Sequence, residues 1–318
     1  VNHTIDDISP LISYTGSSWH ESTPALDPLI SQYSNDTFTL CNTAGSYATF
    51  SFNGTAIWIF GAKRPNHAPY SVTLDGVTTP FDGHADPAVF QTPLFGATNL
   101  PTNQIHTVTI TNQEDDPTLN YLDIDFITWT SVVADPNAPT TVVRANEDAA
   151  FSFHPPSAWS NTTIGTSTSS QQASAVLTFE GDEVTLYGAV GPNSGPYTIS
   201  IDDGPPSTHN ASKINATDQV PLYYASNLGA GTHTLNISNA GPETSTLGID
   251  YAVMRGHSPT SAGGKAKSGC VTYWVHCLTL ARFLIHRFRL TTGAIAGIAV
   301  GAAAAITAFL ILVLLWHR

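Results

Sequence analysis

An internal repeat constrains this 318-residue chain more than any other feature. Phe52, Gly54, Phe60-Gly61, Asn66, Pro69-Tyr70 and Asp75 recur 127 positions later, in register, as Phe179, Gly181, Tyr187-Gly188, Asn193, Pro196-Tyr197 and Asp202. Farther on, Leu94-Phe95 pairs with Leu222-Tyr223, His106-Thr107 with His233-Thr234, and Ile124-Asp125-Phe126 with Ile249-Asp250-Tyr251. Trp19 and Trp159 precede the copies at comparable distances. Self-similarity of this length marks two copies of one folding unit. The expected division is a first domain at 1–134, a linker at 135–139 and a second domain at 140–256. Two prolines in the linker, Pro136 and Pro139, block a continuing helix or ladder.

Each copy reads as β. Runs rich in Val, Ile, Thr, Tyr and Phe (Ala48–Phe52, Ala56–Phe60, Tyr70–Leu74, Thr107–Thr111, Leu122–Trp129) alternate with Gly, Pro, Asn and Asp clusters. Asp75-Gly76 and Gly181-Asp182 have the composition of tight hairpin turns. No convincing amphipathic helix precedes residue 270. Cys41 has no cysteine partner before Cys270, so no disulfide can form within 1–260 and ordinary cores must hold the fold. The expectation is all-β, two tandem antiparallel sandwiches.

The ordered motifs carry a resemblance. Aromatic–x–aromatic–x–Gly is followed by Trp/Leu–x–Phe/Tyr–Gly, Tyr–x–Val/Ile–x–Leu/Ile–Asp, His–Thr and a closing Ile–Asp–Phe/Tyr. The series resembles the galactose-binding-like jelly-roll sandwiches, in particular tandem copies in single-pass membrane proteins of mushroom-forming fungi. The resemblance implies a fold, and it implies that such sandwiches often bind glycans through loops at one end. It transfers no ligand residue, because function must be argued from the site.

Residues 293–316 are an uncharged apolar run. As a helix rising about 1.5 Å per residue it would reach about 36 Å, enough to cross a hydrocarbon core of about 30 Å. A C-terminal transmembrane helix is therefore expected, after a juxtamembrane segment at 257–292. Asn-X-Ser/Thr sequons at Asn2, Asn35, Asn53, Asn161, Asn210, Asn215 and Asn236 all lie on one side of this run. The chain begins at Val1 rather than Met, which fits a removed signal peptide. Together these features predict a glycoprotein of the plasma membrane, its ectodomain outside. One pattern conflicts with this. Lys265, Lys267, Arg282, Arg287 and Arg289 crowd the outer side of the run, and only Arg318 follows it. A short extra span at 270–286, an errant insertion, or a lipid-anchor signal would each resolve the conflict. Gly293, Gly297 and Gly301 recur on one helix face, either as a homodimer contact or as ordinary membrane-helix composition.

All 24 acidic residues precede position 251, against five basic ones before 265, so nucleic acid is excluded as a partner. No nucleophile elbow, zinc-binding helix motif, phosphate loop or dinucleotide fingerprint occurs. No catalytic residue, metal or cofactor is therefore expected. Asp125 and Asp250, shared by both copies, are either catalytic acids or acceptors of backbone N–H groups that fix a loop, and the second suits an apolar strand better. His106 and His233 read as structural hydrogen-bonding groups. Glu114-Asp115-Asp116 reads as a solvent-facing loop rather than a calcium site.

The loop Gly61–Ala68 is the strongest candidate for binding. It concentrates Lys63, Arg64, Asn66 and His67 beside the rings of Trp58 and Tyr70, an arrangement suited to sugar hydroxyls or uronates. The alternative is that Lys63 and Arg64 only solvate a loop in an acidic protein. In the second copy both cations are lost, which favours the first. The expected function is non-catalytic binding of a cell-wall or surface glycan, not an enzyme. A structural or adhesive surface protein is the alternative, and a hydrolase whose paired carboxylates converge only in space is the third reading.

Overall fold

The computed structural model describes residues 1–16, 18–102, 104–133, 139–229 and 231–256. Most of the linker, the 257–292 segment with its expected span at 270–286, the apolar run 293–316 and Gly293, Gly297 and Gly301 lie outside the described residues. No helix among the described residues is long and apolar enough to cross a membrane.

The protein is all-β. Its amino-terminal set of strands comprises Asn2–Asp6 (β1), Ser13–Thr15 (β2), His20–Glu21 (β3), Thr39–Cys41 (β4), Tyr47–Asn53 (β5) and Ala56–Lys63 (β6). It continues with Pro69–Leu74 (β7), Val77–Asp82 (β8), Val89–Thr98 (β9), Ile105–Asn112 (β10), Leu122–Ile124 (β11) and Phe126–Thr130 (β12). These strands form three sheets, ordered β1-β12-β6-β9, β2-β5-β10-β7-β8 and β11-β4-β3.

The carboxy-terminal set comprises Thr140–Arg144 (β13), Phe151–His154 (β14), Ser160–Asn161 (β15), Thr166–Thr168 (β16), Ser174–Glu180 (β17) and Glu183–Val190 (β18). Pro196–Ile201 (β19), Ser207–Asn210 (β20), Thr217–Ser226 (β21), Thr232–Asn239 (β22) and Leu247–Arg255 (β23) complete it. One sheet runs β15-β16-β23-β18-β21 with β13 on β23, and the other runs β14-β17-β22-β19-β20. The strands of each set pair antiparallel with one another, and the described residues up to 256 belong to one compact unit.

Alternation explains why these segments are strands. Along β10 every second side chain is buried, and Phe52 and Phe50 on β5 face His106 and Val108 in register. Each set closes over an apolar cluster, with Ile8 reaching into the carboxy-terminal one and Tyr224 packing against the amino-terminal one. One contains Phe50, Phe52, Ile57, Ile59, Ile110 and Trp129; the other contains Leu177, Leu186, Tyr197, Leu222, Leu235 and Ile249. A third, small cluster of Ile30, Tyr33, Phe38 and Ala62 lies under the end of β6. The β7–β8 hairpin turns at Asp75 and Gly76, both at positive φ (48° and 84°), as the paired Asp-Gly suggests.

The expected strand Leu122–Trp129 is two strands. β11 pairs with β4, whereas β12 pairs with β1 and β6. Asp125 stands at the break, its N–H bonded to the Phe60 carbonyl and its carbonyl accepting from Asp7. The partner exchange leaves Asp123 and Asp125 buried beside β6.

Candidate functional site

At the end of β6 the chain turns sharply. The His67 N–H bonds the Arg64 carbonyl at 3.1 Å, and Arg64 N–H bonds the Gly83 carbonyl at 3.1 Å. Ala68 N–H donates to Tyr121 O, and Tyr121 N–H donates back to Asn66 O. Two of these bonds tie the loop to Tyr121, just before β11, one ties it to Gly83 and one closes the turn itself. A second turn, Thr23–Asp27, approaches from the opposite side in sequence; Asp27 Oδ1 accepts the Leu29 N–H and its Oδ2 meets Arg64 Nη1.

Between these turns lies a cavity of about 320 Å³, lined among others by Asp27, Arg64, Asn66, His67, Tyr121 and Asp123. Asp123, 1% exposed, organises it. Its Oδ2 accepts from the Tyr33 hydroxyl at 2.6 Å and faces His67 Nε2 at 2.7 Å, while its Oδ1 accepts the Ala62 N–H at 2.7 Å. The other imidazole nitrogen, Nδ1, faces Asn66 Oδ1 at 3.1 Å. A buried carboxylate held by this many donors is fixed in position and satisfied. Burial works against the Arg64 charge, but Asp27 and Tyr33 outweigh it and hold the guanidinium above its ordinary range. Burial and the neighbouring Asp123 push the Tyr33 phenol up, so it stays a donor. Arg64 also lies over the Phe90 ring at 5.6 Å.

Of the six residues singled out from sequence, the structure gathers Arg64, Asn66 and His67 on the cavity. Trp58, Lys63 and Tyr70 are not among its lining residues. Tyr70 is core, 1% exposed, with its hydroxyl bonded to the Leu94 carbonyl, so its ring offers no face to a ligand. Trp58 packs over Gly96, where even a methyl group would meet its ring at 2.6 Å. Lys63 ends β6 opposite Val89.

Asp125 and Asp250 accept backbone N–H groups, from Ser34 at 3.0 Å and Gln219 at 2.8 Å. His106 and His233 each bond an aspartate, Asp75 and Asp202, at 2.6 Å. Glu114, Asp115 and Asp116 accept loop N–H groups, and among the described residues no group of three or more His, Cys, Asp or Glu could hold a metal ion.

Asp27, Tyr33, Tyr121 and Asp123 escaped the sequence reading. The signal that finds Tyr121 and Asp123 is difference between the copies. Arg64 aligns with Gly191, His67 with Ser194 and Asp123 with Gly248. The paired bridges His67–Tyr121 and Ser194–Thr246 confirm the alignment in space. Only the first copy carries the charges.

No protein-family model matches the chain. A curated protein of Flavonifractor plautii, described as an "A type blood alpha-D-galactosamine galactosaminidase", is 25% identical over 261 residues. The match takes in 78% of this chain and 22% of that protein, so the chain spans a little under a quarter of its relative. Similar solved structures include a Paenibacillus xanthan lyase, at 14% identity and TM-score 0.28, over 77% of this chain and 25% of that one. The CBM36-1 domain of a xylanase from the hindgut metagenome of Trinervitermes trinervoides matches at 9% and 0.29, over 42% and 98%. The extracellular domain of ANXUR2 from Arabidopsis thaliana matches at 10% and 0.25, over 81% and 97%. Structural likenesses this distant carry no argument, and none bears on a fungal affiliation. The curated relative does correct one expectation. The reading of a non-catalytic glycan binder that is not an enzyme is overturned, because the relative is named as a galactosaminidase.

Proposed function

We propose that the chain is a carbohydrate-active unit that takes part in cleaving glycosidic bonds, with the Asp27–Asp123 cavity as its sugar site. The observation that carries this reading is that two carboxylates, Asp27 and Asp123, line one cavity together with Arg64 and His67. Glycoside hydrolysis needs a carboxylate facing the anomeric carbon and a proton donor at the departing oxygen. Asp27, whose side chain keeps 14% of its surface exposed, suits the first role, while Asp123, immobilised by Tyr33, His67 and the Ala62 N–H, holds His67 in place. His67, bonded to it, is placed to pass a proton. Arg64 and Asn66 supply donors for hydroxyls. The name of the curated relative supports a galactosamine-type sugar as substrate. The two separate strand sets support tandem sandwich domains, and the sequons before the 293–316 run support a surface-anchored ectodomain.

The test is release of nitrophenol from aryl α-galactosaminides by the full chain. Asp123→Asn and Asp27→Asn should each lower turnover at least 100-fold, in line with loss of an acid–base group. A folded Asp27→Asn protein with unchanged turnover would remove the cavity from the reaction, and an inactive wild type would remove the activity.

A further inference from the structure

A second and larger hollow lies where the two strand sets meet. It is a cleft of about 1110 Å³. One wall comes from β2, β3 and β5, with Tyr14 and Trp19; the other comes from β20 and β21, with Lys213 and Tyr223. Its chemistry differs from that of the surrounding molecule. In a protein with 24 acidic residues the cleft presents one carboxylate, Glu21. That carboxylate is already engaged: Oε2 accepts the Ile214 N–H at 2.8 Å and Oε1 lies 3.8 Å from Lys213 Nζ. Lys213 in turn sits over the Tyr14 ring at 5.5 Å, and Tyr14 packs on Trp19 at 4.9 Å. Beyond this pair the polar lining is hydroxyl, amide and imidazole, including Ser51 and Thr208. Ring faces interleaved with neutral donors and acceptors, with charges cancelled internally, match an uncharged polyol chain better than an acidic or basic peptide. His20 lines both this cleft and the Asp27–Asp123 cavity, so the two hollows adjoin.

We propose that this cleft binds several units of a neutral oligosaccharide, extending the sugar site beyond the cavity. The inference rests on the carbohydrate reading for its class of ligand, but it concerns different residues.

Two measurements on the full chain, made without N-glycans because the sequon residues Asn53 and Asn210 line the cleft, test it. Calorimetric binding of neutral galactose-containing oligosaccharides of two to six units should show affinity rising at least tenfold with length. Thr208→Trp, which fills the cleft from an exposed position, and Tyr223→Ala should each abolish that length dependence. Should Tyr223→Ala fail to fold, Thr208→Trp and Ser51→Trp decide from opposite walls. Affinity that ignores length, or length dependence that survives in folded Thr208→Trp and Ser51→Trp, overturns the proposal. Cleavage of the short aryl glycoside keeps the two readings apart. It should persist in Thr208→Trp, whereas Asp27→Asn should lose it and keep the length-dependent binding. Loss of cleavage alone then counts against the cavity, and loss of length dependence alone counts against the cleft.

Discussion

Asp125 is fully buried, and one of its carboxylate oxygens, Oδ2, has no hydrogen-bond partner among the described residues. Burial, with the charges of Asp6 and Asp123 adding to it, pushes this carboxyl up to about 7, against the single relief of the Ser34 N–H. The folded chain therefore holds this proton more tightly than the unfolded chain does. The resulting stabilisation is complete below about pH 4 and is lost as the pH rises to about 7. Asn keeps the shape and the neutral state, so Asp125→Asn should remove this dependence. Between pH 4 and 8 the wild-type Tm should fall relative to the variant, and parallel curves would show that Asp125 ionises normally. Asp125 and its partner Asp250 were legible in the sequence because the repeat preserves them. Asp123, two residues away, was not, since the second copy has Gly248 there and a repeat draws the eye to what is shared. The cavity's charged groups are the departures from the repeat.

Strand β6 shows how an element positions this chemistry. Gly61 lies so close to β11 that an added Cβ would meet the Asp123 carbonyl oxygen and Oδ1 at 2.7 Å each, and Leu94 Cδ1 at 2.8 Å. Gly188, its repeat equivalent, is pressed onto the Gly248 carbonyl in the same way. The recurring aromatic–Gly pair therefore records a close approach of two strands. Gly61→Ala should cost about 1–3 kcal/mol by overpacking and, by displacing Asp123, should also abolish glycoside cleavage. Gly96→Ala collides instead with the Trp58 ring, which does not line the cavity. It should lose similar stability in a denaturant titration while keeping turnover. Equal activity in both variants would separate Gly61 from the site. Alternating apolar residues made the strands readable at this scale. The break between β11 and β12 was not, because it follows from a change of partners distant in sequence.

At the scale of the whole molecule, the strand sets are joined through a buried carboxylate. Glu183, 3% exposed, accepts from Ser131 Oγ at 2.9 Å and from the Tyr224 hydroxyl at 3.1 Å, and pairs with Arg255 at 3.0 Å and His3 at 3.3 Å. His3 stacks on Trp129 and packs against Tyr224, each at 4.8 Å, so residues of both sets enclose the acid. The repeat predicts each set but says nothing of how they join. The one trace in sequence is that Glu183 aligns with Ala56. Burial opposes its ionisation, but hydrogen bonds from His3, Ser131 and Tyr224 outweigh that and hold the carboxyl below its ordinary range. Its stabilisation is accordingly present above the ordinary value of 4.5 and is lost as the pH falls through the lower folded value. Removing one partner of a buried ion pair costs about 3–5 kcal/mol. Because each strand set keeps an apolar cluster, Glu183→Ala should weaken the joint more than either core. Calorimetry of the variant at pH 7 should resolve two unfolding transitions where the wild type shows one. The wild type should reach the same division only in acid, below its folded value. A single transition in Glu183→Ala at every pH would mean that the sets are coupled through the other contacts instead: Ile8 in the carboxy-terminal cluster, Glu21 with Ile214 and Lys213, Ser9 with the Pro221 carbonyl and His209 with that of Pro10.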